Sequence, residues 1–181
     1  MMRLTNRTDW KESGALNEAF ADMMGASADI FHHGDCIWAQ QWQIGYETYL
    51  AGPALRFMNN PRLDGRSYDY YPERYMGFQD VGGVHSNSGI GNLAYVLAAQ
   101  GGVHPRQKTS NWVQGIGLEA AEQVFYSALS NYMMRTTNFE GARIATETAA
   151  NVLYNSDVEY SISNAWYAVG VGQEPAAPRS R

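Results

Sequence analysis

Two pairs of side chains in this 181-residue chain have the types and spacing that chemistry uses. Glu18 and Asp22 lie one turn apart on a helix and share a face, with Leu16, Phe20, Met23 and Met24 supplying apolar surface on either side. Carboxylates set among apolar neighbours are tolerated where they bind a metal or a cationic partner. The same spacing also describes a solvated acidic stripe on an amphipathic helix. The second pair is Asp80 and His85. Gly82 and Gly83 bring the backbone in tightly before the ring, a following helix start presents free N–H groups, and Asp80 stands ready to orient or charge the imidazole. A histidine so placed can donate a hydrogen bond to an oxyanion, or it can simply cap or pack.

The remaining reactive residues carry less signal. His32 and His33 sit beside a helix C-terminus, where the dipole favours a cationic ring. His104 precedes Pro105 in a loop. The single cysteine, Cys36, excludes an internal disulfide and reads as a small turn residue. There is no cysteine cluster, phosphate loop or Gly-x-Ser-x-Gly elbow. A net charge of −5 without Lys/Arg runs argues against a nucleic-acid or anionic-membrane partner. Neither a membrane span nor a secretory leader is written in the chain.

The elements that must position these residues follow from periodicity and punctuation. At 45% hydrophobic and 17% charged, the chain suits one domain with a real core. Asp9-Trp10-Lys11-Glu12 predicts the start of a first helix that Gly34 closes. From Asp35 to about Gln79 the Gly, Pro, Asn and aromatic content predicts a long ordered loop region with short helical turns. A glycine-rich turn over 80–89 then leads into an apolar helix from Leu93 to Ala99, ended by Gly101-Gly102. Helical spacing marks a third helix over Leu118–Met134. Thr137 to Glu140 makes a capping box for a fourth, with Ile144, Ala145, Ala149, Val152 and Leu153 on one side. Ser156 to Glu159 repeats the device for a last helix through Trp166, and 173–181 reads as a frayed tail. The fold class is therefore mainly α, a multi-helix bundle under a long aromatic, Gly- and Pro-rich loop region.

Three stretches carry a resemblance: Glu12-Ser13-Gly14-Ala15-Leu16-Asn17-Glu18-Ala19-Phe20-Ala21-Asp22, Ala54-Leu55-Arg56-Phe57-Met58-Asn59-Asn60-Pro61, and Gly82-Gly83-Val84-His85-Ser86-Asn87-Ser88-Gly89-Ile90. In this order, and continuing to Trp166-Tyr167-Ala168-Val169-Gly170, they resemble the C-terminal helical domain of the thermolysin-like zinc metalloendopeptidases. The resemblance spans 12–172 and implies a zinc-activated water attacking a peptide bond. It implies Glu18 as a zinc ligand and Asp22 as the carboxylate that supports a zinc-bound histidine. It makes His85 the oxyanion donor with Asp80 behind it, and Arg56 a substrate-carbonyl ligand. Secretion and a peptide or protein substrate are implied in the same way.

The departures are equally specific. The family's His-Glu-x-x-His helix, with its other two zinc ligands and general base, has no counterpart in the 181 residues, so the zinc site is incomplete. The resemblance therefore implies a partner N-terminal peptidase domain, with 1–11 a poorly matching remnant of it. Asp29 can stand for one calcium ligand, but Gln41, Gln43 and Tyr46 fall where the family's calcium sites carry acids, which disfavours calcium. Two readings follow: the helical half of an endopeptidase, inactive alone, or a non-catalytic module that binds peptide or protein through the same cleft.

Overall fold

Phe125 marks the point where the helices of this chain converge. Its ring packs 6.1 Å from Phe20, 5.0 Å from Tyr95 and 6.2 Å from Trp166, centroid to centroid, so three helices contribute to one aromatic cluster around a fourth. In the computed structural model, which describes residues 11–33 and 40–176, these elements are α1 (Glu12–His32), α2 (Asp80–Gln100), α3 (Leu118–Asn131), α4 (Phe139–Leu153) and α5 (Ser156–Ala168). Phe139 of α4 joins the cluster through Trp166, at 6.4 Å. Deleting a buried ring such as Phe125 would cost about 3–5 kcal/mol, enough to threaten a domain of ordinary stability.

The mainly α class holds, with a small correction. A two-residue antiparallel pair, β1 (Gln43–Ile44) with β2 (Arg56–Phe57), folds the loop region back on itself in the register Gln43 to Phe57. Short 3-10 turns at Pro61–Asp64 and Tyr71–Glu73 complete it. Each has a proline in its first turn, where the fixed φ helps and a missing N–H costs nothing.

Boundaries moved for physical reasons. The described part of α1 begins at Glu12; Asp9, Gly34 and Cys36 lie outside the described residues. Glu12 accepts from Tyr71 Oη at 2.8 Å and from the Phe139 backbone N–H at 3.1 Å, tying the start of α1 to the start of α4. Helix α3 stops at Asn131, short of Met134. The cap of α4 is Asn138, whose Oδ1 accepts from Gly141 N–H, while Thr137 instead accepts from the N–H of Met134 and closes the turn before it. The cap of α5 is Asn155, not Ser156. The expected face of α4 is also corrected: Ile144, Val152 and Leu153 are exposed, and Ala142, Ala145, Thr146, Ala149 and Ala150 face the core. Small side chains are needed there because the Trp166 indole lies over them and donates to Thr146 Oγ1 at 2.8 Å.

Close approach also sets the α1–α2 contact. A Cβ on Gly91 would stand 2.9 Å from the Ala19 Cβ, so the two helices that carry the candidate site meet where neither has a bulky side chain.

Candidate functional site

The supposed glycine-rich turn is the opening of α2. Asp80, Val81, Gly82 and Gly83 all have positive φ, at 53°, 51°, 85° and 88°, and a regular helix runs on from Val84. Val81 is β-branched and left-handed, a conformation that stores strain and is held by its surroundings. One restraint is the bond from Lys11 N–H to Val81 O at 3.1 Å, which also brings the start of α1 alongside.

That left-handed run turns Asp80 back over the new helix. Its Oδ2 accepts from the backbone N–H groups of His85 and Ser86, at 3.0 and 2.9 Å, and from Ser86 Oγ at 2.8 Å. Its Oδ1 meets His85 Nδ1 at 2.5 Å. Burial works against the Asp80 charge, but the bonds from His85 and Ser86 outweigh it and hold the carboxyl below its ordinary value. An ionised carboxylate can only accept, so Nδ1 carries the proton and Nε2 faces outward. The His85 side chain is 58% exposed, and Nε2 points at Glu18 Oε2, 3.6 Å away. Nε2 can therefore donate to a ligand only when the ring is doubly protonated.

One turn along α1, Asp22 is 4% exposed and accepts three hydrogen bonds. Arg56 on β2 clamps it with Nε to Oδ2 at 2.7 Å and Nη2 to Oδ1 at 2.6 Å, and Asn92 on α2 donates to Oδ2 at 2.8 Å. Burial opposes the guanidinium charge, yet the bonds and charge of Asp22 push the Arg56 value up. Asn92 was not legible as a site residue, since it sits inside an Ala- and Leu-rich helix that reads as core. An amide within an otherwise apolar run was its one signal.

Beside this face a strap of chain, 74–79, is fixed to α2. The Tyr75 N–H donates to Asn87 Oδ1 at 2.8 Å, and Asn87 Nδ2 donates back to Tyr75 O at 3.0 Å. Gln79 N–H reaches the Tyr75 hydroxyl at 3.2 Å. Met76 and Phe78 project from the strap into solvent.

Among the described residues no group of three or more His, Cys, Asp or Glu is arranged to hold a metal ion. Glu18 has one imidazole near it and no further donor set, so the described residues do not by themselves make a catalytic zinc site, which takes three protein ligands. His32 and His33 stand at the end of α1, with His33 3.5 Å from Asp29 Oδ1, away from Glu18. His104 stands in a loop, as expected, but it is not idle there. It is fully buried, its Nε2 donates to Asp69 O at 3.1 Å, and its Nδ1 accepts from Arg106 N–H at 3.1 Å. Burial pushes its value down, keeping a neutral structural ring. The calcium region is a pocket of about 280 Å³ between α1 and the hairpin, lined by Asp29, Gln41, Gln43, Tyr46, Glu47 and Thr48 among others. Of its described carboxylates, Asp22 is already clamped by Arg56, which leaves Asp29 and Glu47 among several neutral groups, short of the anionic oxygen set that a tight calcium site needs.

The described residues thus place a carboxylate, an aspartate-held histidine and a carboxylate-clamped arginine around α1. The family model described as "Thermolysin metallopeptidase, alpha-helical domain" matches residues 10–171, and the chain belongs to that family. It is 42% identical over 165 residues to neutral protease B of Bacillus subtilis (strain 168), covering 88% of this chain and 28% of that protein. It is 42% identical to the thermolysin of Alicyclobacillus acidocaldarius over 165 residues, covering 88% of this chain and 29% of the relative. Among solved structures, the precursor of protealysin, a metalloproteinase from Serratia proteamaculans, matches with a TM-score of 0.71 at 26% identity, covering 90% of this chain and 51% of that one. The chain thus spans less than a third of the length of these two curated relatives. No helix among the described residues is long and apolar enough to cross a membrane.

Proposed function

We propose that this chain is the helical half of a secreted zinc-dependent endopeptidase, acting on peptide or protein substrates together with a domain that carries the His-Glu-x-x-His helix. The observation that carries the reading is the pairing across the α1–α2 contact, with His85 Nε2 3.6 Å from Glu18 Oε2 and Asp80 behind the ring. In this reading Glu18 is the donor the chain offers to zinc, whose chemistry is to acidify a water and polarise a carbonyl. The chain's own residues do the rest of its share. Doubly protonated, His85 donates from Nε2 to the oxygen on which negative charge develops, and Asp80 keeps the ring oriented. Arg56, held by Asp22, offers its remaining N–H groups to a substrate carbonyl. Asp22 has accepted three hydrogen bonds and keeps acceptor capacity for a histidine N–H supplied by the other domain.

The test is reconstitution. Alone, the 181-residue chain is expected to show no zinc-dependent peptide cleavage. Mixed with a separately produced domain bearing the His-Glu-x-x-His helix, it is expected to cleave, and Glu18→Gln is expected to abolish that activity. A tight complex that stays inactive would sink the enzymatic reading. It would leave the second one, a non-catalytic module that binds peptide through the Arg56 and His85 face.

A further inference from the structure

We propose that Glu12 is a positioning residue of the candidate peptidase site, fixing how far Glu18 on α1 stands from His85 on α2 while touching neither substrate nor metal; the inference rests on the function proposed above. Glu12 opens α1 and gathers donors from two other parts of the chain. Its Oε1 accepts from Tyr71 Oη at 2.8 Å and lies 3.3 Å from Arg74 Nε, and its Oε2 accepts from the Phe139 N–H at 3.1 Å. The Arg74 guanidinium lies over the Tyr71 ring, 3.9 Å from its centroid, and donates from Nη1 to Tyr71 O at 3.1 Å. Arg74 Nε is buried and makes no directed hydrogen bond among the described residues, so the Glu12 charge is what offsets its loss of water. Burial first, then the bond and charge of Glu12, push the Tyr71 phenol up, as befits a hydroxyl that donates to a carboxylate. Donors converging from separate elements need a group that accepts at two oxygens and donates nothing, and a carboxylate is that group.

Helices α1 and α2 approach closely at Ala19 and Gly91, and contact at one point leaves a helix pair free to splay about it. The start of α1 is tied separately to the segment that carries His85. Lys11 N–H donates to Val81 O at 3.1 Å, and Arg74, held by Glu12, leads into Tyr75, which exchanges bonds of 2.8 and 3.0 Å with Asn87. Along each helix the candidate site residue falls between these ties and the Ala19–Gly91 contact, and there His85 Nε2 stands 3.6 Å from Glu18 Oε2. Releasing the Glu12 end therefore changes that separation, in a site where a misplacement of about 1 Å can cost about 10²-fold in rate.

Glu12→Gln keeps the size and one acceptor oxygen but removes the charge, and two measurements on it test the proposal. In the isolated 181-residue chain, hydrogen exchange is expected to quicken more over 74–87 than in α5. An equal change in both, or none over 74–87, would overturn the proposal. This measurement needs no second domain, so its result is distinct from a failure of the wild-type chain to reconstitute. With the wild-type enzyme reconstituted and active, Glu12→Gln is expected to lower kcat about tenfold and to leave KM within about twofold, under conditions where urea curves show the variant folded. A wild-type kcat, or a loss confined to KM, would count against a positioning role. Arg74→Met should lower kcat in the same way, and the double variant should lose no more than either single one, because each breaks the same linkage. Losses that multiply would show that Glu12 does not act through Arg74.

Discussion

Asp80 holds His85 at two points, the ring Nδ1 on one carboxylate oxygen at 2.5 Å and the backbone N–H on the other at 3.0 Å. One group therefore both starts α2 and aims the imidazole. In the reconstituted enzyme, His85→Ala is expected to lower kcat by about 10²–10³-fold with KM little changed, because its bond forms with charge that develops only in the transition state. Steady-state kinetics on one peptide substrate separate the two parameters. A loss confined to KM would instead place the ring on the ground-state substrate.

Replacing Asp80 separates capping from charge. Asp80→Ala removes a helix cap and is expected to cost about 1–2 kcal/mol in urea unfolding, while Asp80→Asn keeps an acceptor oxygen and costs less. The pH dependence has a definite sign. The folded carboxyl titrates below its unfolded value of about 3.9, so its contribution is complete above that value and is lost as pH falls through the folded one. The stability gap between wild type and Asp80→Asn should be flat near neutrality and close in acid.

His104 should make the domain weaken on mild acidification. Its folded value is lowered, chiefly by burial, so the unfolded chain takes up the proton first. The neutral ring's contribution is complete above the unfolded value of about 6.5 and is lost as pH falls toward the folded one. Protonation at Nδ1 would also oppose the N–H of Arg106, which that nitrogen now accepts. His104→Gln offers both a donor and an acceptor without titrating. Its stability deficit relative to wild type should shrink as pH falls from about 7 to 5 in paired urea curves.

Breaking the Asp22–Arg56 clamp should be costly because both ends are shielded, at 4% and 15% side-chain exposure. Arg56→Ala leaves a buried carboxylate with Asn92 as its remaining donor, and is expected to cost about 3–5 kcal/mol. Arg56→Lys should recover little, since an ammonium cannot make the two-pronged contact. The double change Asp22→Leu with Arg56→Met should cost less than the sum of the single ones, and strict additivity in a double-mutant cycle would contradict the geometry.

Gly91→Ala adds one methyl group where the Ala19 Cβ would stand 2.9 Å away. Overpacking of this kind costs about 1–3 kcal/mol. Here it should also separate α1 from α2, so peptidase activity on reconstitution should fall by more than stability alone explains. Urea curves and initial rates on the same variant make that comparison.

Where the code is local, the sequence was readable. The apolar spacing of α3, the Asn138 region before α4 and the closing glycine at 170 all act over a few residues, and the helices stand close to where those signals put them. The pairing of Asp80 with His85 was legible for the same reason. What escaped was decided by tertiary contact. Helix α2 begins at a left-handed run whose valine no local propensity favours, and its glycines therefore read as a turn. The inward face of α4 is the alanine side because Trp166 from α5 fills that space, a fact ten or more residues away from any window around Ile144. Asn92 and His104 looked idle because their partners, Asp22 and Asp69, lie 70 and 35 positions away in the chain.

The reciprocal bonds between Tyr75 and Asn87 have a consequence for motion. They close a ring of covalent and hydrogen bonds around 75–87, so the strap and the His85 turn form one stiff body. Any displacement of the His85 turn must therefore carry the exposed side chains of Met76 and Phe78 with it, because all three belong to the same closed ring.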